Sequence, residues 1–112
     1  MTDKDLIIIN NEKIFKENSN FYCDNLDLKI LPEGLNNYYK VQYIVRSSNK
    51  KGDQQINLKN VKVASSLFKF IYFIFKSIKI HKANYLIISI TPYTFLAFLI
   101  LFMFWVALLT NI

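Results

Sequence analysis

Tyr85-Leu86-Ile87-Ile88-Ser89-Ile90-Thr91-Pro92, followed by an apolar run to Leu109, is the stretch whose reading decides the fold. Its first half is β-branched and of strand length. Thr91 is a good helix N-cap, and Pro92 suits the first helical position, where its missing N–H would be unpaired anyway. Beyond Pro92 the residues change to Phe, Leu, Met, Trp and Ala. Two readings compete. In one, Tyr93–Thr110 is a helix of about 27 Å that spans a bilayer core of about 30 Å. In the other, a parallel strand turns into a helix buried between layers of an α/β domain, which explains the change of composition at Thr91-Pro92.

Working back, residues 64–82 read as a basic amphipathic helix. Lys62, Ser65, Lys69, Tyr72, Lys76 and Lys79 recur at steps of three and four and form one polar stripe on an otherwise apolar cylinder. His81 sits in that cationic stretch and reads as a solvated residue. Leu6–Ile9 is a short buried strand closed by Asn10-Asn11, and residues 10–25 read as a loop. Asn25 or Asp27 starts a short helix toward Leu35, made irregular by Pro32. Tyr39–Arg46 is the best strand of the front half. Residues 47–55 form a polar loop, and a weak strand lies in 56–63. The order strand, loop, strand, helix, strand, helix is an α/β order. The organisation is an α/β portion over 1–84 and an apolar strand-turn-helix over 85–112.

The charges sort along the chain. All eight acids precede residue 54, and six lysines follow it. Residues 83–112 carry no charge, and the 112-residue chain has a formal net charge of +6. The lysines alternate with Phe, Ile and Leu, which favours an anionic phospholipid surface over nucleic acid. Flanking lysines place the front of the chain on the cytoplasmic side of the membrane. Two glycines, Gly34 and Gly52, leave no Gly-rich phosphate loop to be written. One cysteine and one histidine argue against a Cys- or His-based metal site, and no cofactor is expected. Cys23 has no adjacent cation and reads as structural.

The segment Tyr85–Pro92 with its apolar helix resembles the later strand and helix of the N-terminal domain of family 4 glycosyltransferases. Leu6–Asn10 is similar to the first strand of that domain, and Glu33-Gly34-Leu35 with Tyr39–Arg46 to its helix and second strand. The resemblance runs over residues 6–108. It implies a partial Rossmann-like fold, the N-terminal half of a GT-B enzyme, with short parallel strands and an apolar C-terminal helix. It also implies a lipid-linked acceptor, a membrane surface as partner, and a second, C-terminal domain that holds the nucleotide-sugar. The chain departs from the family in lacking glycine after the first strand, where Asn10-Asn11-Glu12-Lys13 stands. The donor-site glutamates belong to the other half, so the chain alone is expected to be inactive. The competing reading is a small single-span membrane protein without catalysis.

Open α/β sheets bind ligands at the carboxyl ends of their strands. Asn10, Asn11, Glu12 and Thr91 are therefore the candidate substrate-binding residues. Lys69, Lys76, Lys79, Phe70 and Phe73 are the candidate membrane contacts, combining apolar insertion with attraction to anionic lipid.

Overall fold

The computed structural model describes residues 4–78, 83–88 and 91–110. Leu6-Ile7-Ile8-Ile9 is a continuous apolar run because both its faces are covered. Strand β1 (Asp5–Glu17) lies between β3 (Lys40–Ser47) and β6 (Asn84–Ile88), parallel to both. Leu6 and Ile8 point into one core cluster with Val41, Tyr43 and Val45, while Ile7 and Ile9 point into another with Ile44, Phe70 and Ile74. Ile7, Ile8 and Ile9 have no solvent exposure, worth roughly 2 kcal/mol or more apiece. The parallel strands stand in the order β5 (Val61–Ala64), β3, β1, β6. The chain thus steps outward twice on one side of β1, then crosses back to the other side.

The distal half of β1 belongs to a second pairing system. It turns at Asn18, whose positive φ of 57° is tolerated by asparagine, into antiparallel β2 (Asn20–Cys23). β2 in turn pairs with β4 (Gln54–Ile56). Residues 10–17 and 20–23, expected to be loop, are therefore strand. Partner strands, rather than local pattern, hold these mixed polar and aromatic residues extended. The register along β3 jumps between Ile9 and Lys13, so Asn10-Asn11-Glu12 is a bulge inside β1 and not the turn that ends it. The weak strand expected over 56–63 is two short strands, β4 and β5, in different parts of the sheet.

Helix α1 (Asp27–Leu35) covers one face through Leu28 and keeps Pro32 buried within its length. It is tied to the end of β4 by Lys29, whose Nζ lies 2.8 Å from Glu33 Oε2 and donates to the Gln55 carbonyl at 3.0 Å. Glu33 also accepts the Asn57 N–H at 2.7 Å. The other face is covered by α2 (Leu67–Ile78) and α3 (Pro92–Thr110). α2 begins three residues later than the sequence suggests, because Ala64 still pairs in β5. Residues 79–82, with Lys79 and His81, and residues 89–90 lie outside the described residues. Phe70, Ile74 and Ser77 form the buried stripe of α2.

α3 begins as a layer on the sheet. Thr94 and Ala97 are fully buried, and Ile100 and Leu101 pack on the same cluster. Among the described residues no helix is long and apolar enough to cross a membrane. The first turns of α3 pack on β1 and β6.

Candidate functional site

The bulge in β1 sits where the strand order reverses, midway along β1 and beside the carboxyl end of β6. Asn10 pairs with Ile88 of β6 and is 2% exposed. Its amide is spent in two directions. Nδ2 donates to the Tyr43 hydroxyl at 3.2 Å, and Oδ1 accepts the Glu12 N–H at 3.1 Å. The second bond closes a local Asx turn, which is why the register jumps at this point. Burial pushes the Tyr43 hydroxyl up to about 12, against the opposing effect of the Asn10 bond. The phenol therefore keeps its proton and stays a donor at neutral pH.

Beside the bulge opens a groove of about 400 Å³. Asn10, Glu12, Asn25 and Asp27 supply its polar wall, and Leu28, Ile30, Leu31 and Ile88 its aliphatic wall. Asn25 Oδ1 accepts the Asp27 N–H at 3.0 Å, fixing the entry to α1. Cys23 below is buried, and its Sγ lies 3.3 Å from the Asn25 carbonyl oxygen. Burial raises its pKa, so it remains a thiol. Two carboxylates and two amides facing an aliphatic wall can bind a hydroxyl-bearing ligand with an apolar side. Among the described residues no group of three or more His, Cys, Asp or Glu could hold a metal ion.

Of the four candidate substrate residues, Asn10 and Glu12 meet in this groove. Asn11 does not line it; its Oδ1 accepts from Arg46 Nη1 at 3.4 Å. Thr91 is absent from the groove lining and serves as a helix cap. Its N–H donates to Thr94 Oγ1 at 2.8 Å, and its Oγ1 accepts the Thr94 N–H at 3.3 Å. Asn25, Asp27 and the aliphatic wall were missed as site residues. Only the capping pattern at 25–27 marked the place, and nothing local says that α1 shares a groove with Ile88 of β6.

The candidate membrane contacts divide as well. Lys69 and Lys76 are exposed. Phe70 is fully buried against the sheet and so does not face outward as expected, while Phe73 packs on the same cluster half-buried. Tyr72 of the polar stripe is 55% exposed, and beside it the solvent face of α2 carries Phe68 and Phe75, 85% and 53% exposed. Lys76 Nζ stands 5.7 Å from the Tyr72 ring centroid. No family model, curated protein or solved structure matches this chain.

Proposed function

We propose that the chain is the acceptor-side half of a GT-B-like glycosyltransferase, a partial Rossmann-like unit that works at a membrane surface and is inactive alone. One observation carries this reading. The parallel strands run β5, β3, β1, β6, with α1 on one face and α2 and α3 on the other. A groove with one polar and one aliphatic wall lies at the reversal between β1 and β6, beside the carboxyl end of β6. Open α/β sheets take their ligands at such a point.

In that role the Glu12 and Asp27 carboxylates accept hydrogen bonds from acceptor hydroxyls, and the Asn25 amide donates one. Leu28, Leu31 and Ile88 exclude water from one side. The bulge, braced by Asn10 and Tyr43, holds Glu12 in place without the glycines of the resembled family. Lys69 and Lys76, interspersed with Phe68, Tyr72 and Phe75, supply attraction to an anionic lipid surface together with shallow apolar insertion. Transfer requires a nucleotide-sugar held by a second domain, so the 112-residue chain by itself turns over no nucleotide-sugar.

Titrating the isotope-labelled chain with a short-chain lipid-linked sugar tests the reading. Amide resonances of Asn10, Glu12, Asn25 and Ile88 should shift together, and Glu12→Gln with Asp27→Asn should abolish the response. A titration that leaves those four resonances unmoved overturns the acceptor site.

A further inference from the structure

A second cavity, of about 270 Å³, lies on the other side of the bulge. Strand register builds it. Lys13 pairs with Arg46, and Arg46 with Ala64, so the three stand in one row across β1, β3 and β5. Residues in register on neighbouring strands share a face of the sheet and stand about 5 Å apart. Ala64, the small member of the row, leaves room above the sheet. Ser47, Ser65 and Ser66 line the walls, and none of the lining residues is acidic. Arg46 is steadied by the Asn11 amide oxygen at 3.4 Å. Ser66 Oγ accepts the Lys69 N–H at 3.2 Å.

Like charges facing one another on adjacent strands destabilise a sheet. Lys13 beside Arg46 is such a pair, and both line the same cavity. An anion in the cavity gains a charge-assisted contact from each, and guanidinium groups fit tetrahedral oxyanions through two parallel N–H bonds. We infer that this cavity is a phosphate-binding subsite, with Lys13 and Arg46 as the charged ligands and the serine hydroxyls completing the shell. It deepens the acceptor reading, since Glu12 of the groove and Lys13 of this cavity are adjacent in the bulge. That reading bears only on which molecule carries the phosphate. Phe68, on the first turn of α2 beside Ser65 and Ser66, is 85% exposed, which favours a phosphate attached to a lipid.

The test uses the full chain and two probes, inorganic phosphate and vesicles of phosphatidylcholine with or without phosphatidic acid. Phosphate should shift the Lys13, Arg46, Ser47 and Ser65 resonances while sodium chloride of equal ionic strength does not. Lys13→Gln and Arg46→Gln should each weaken binding about tenfold or more, Arg46→Lys should restore part of it, and Lys59→Gln, at an exposed position outside the cavity lining, should leave it unchanged. Ser65→Glu, an exposed position that leaves the fold intact, should abolish it. Phosphatidic acid vesicles that compete with free phosphate assign the group to a lipid headgroup; binding of free phosphate alone supports the subsite with a soluble ligand. Shifts spread evenly over all lysines, or binding indifferent to both Arg46→Gln and Ser65→Glu, overturn the proposal. The Asn10 and Ile88 resonances report the groove separately, so its failure is distinguishable from failure here.

Discussion

Tyr43 is the residue on which the bulge and the core both lean. Its ring is wholly buried and its hydroxyl accepts from Asn10. With the folded pKa raised to about 12 from an ordinary 10, the phenol is protonated in both states below pH 10. Between pH 10 and about 12 the unfolded chain releases the proton while the folded chain holds it, so stability falls through that window. Denaturant melts of the intact chain should therefore lose stability between those values. Tyr43→Phe should lack this fall and, at neutral pH, be less stable by about 1–3 kcal/mol, because the Asn10 amide is left buried without its partner. Parallel pH profiles for the two proteins would show that Tyr43 does not titrate in this way.

At the scale of elements, the two glycines make opposite predictions. A Cβ on Gly52 would stand 2.2 Å from the Cys23 carbonyl carbon, a backbone atom of β2, whereas Gly34 in α1 has nothing within 4 Å of that position. Gly52→Ala should push the 48–53 loop off β2 and cost about 1–3 kcal/mol. Gly34→Ala should stabilise α1 by up to about 1 kcal/mol. Thermal melts of the two variants moving in the same direction would contradict this. β3, α2, β6 and α3 were legible in the sequence because each carries its own period or its own change of composition. β2, β4 and the outer half of β1 were not. Their residues mix polar groups with scattered aromatic and aliphatic ones and show no clean alternation, and it is pairing with one another and with β3 that makes them extended. The groove was half legible for the same reason. Asn10 and Glu12 follow an obvious strand, but their neighbours Asp27 and Leu31 arrive through a helix whose placement no local pattern announces.

On the scale of the whole molecule, the apolar surface is unevenly disposed. The outer turns of α3 show Phe102, Met103 and Trp105 at 49%, 68% and 56% exposure, and the outer face of α2 adds Phe68, Tyr72 and Phe75. Patches of this kind drive association rather than folding. Replacing Phe102, Met103 and Trp105 by Gln should change stability by little, within about 0.5 kcal/mol per site. It should also lower light scattering and dye binding at a given concentration. Loss of the cooperative melt in that variant would mean that these side chains are core. The pairing of β1 with both β3 and β6 carries a consequence for synthesis. The strand made first is the one completed last: Ile7 and Ile9 leave the ribosome at once, but Asn84–Ile88 follows roughly 75 residues behind, about 4–15 s later at ordinary elongation rates. Throughout that interval the aliphatic tetrapeptide Leu6–Ile9 has one flank bare, so a chaperone that binds short aliphatic segments should capture the growing polypeptide at that segment.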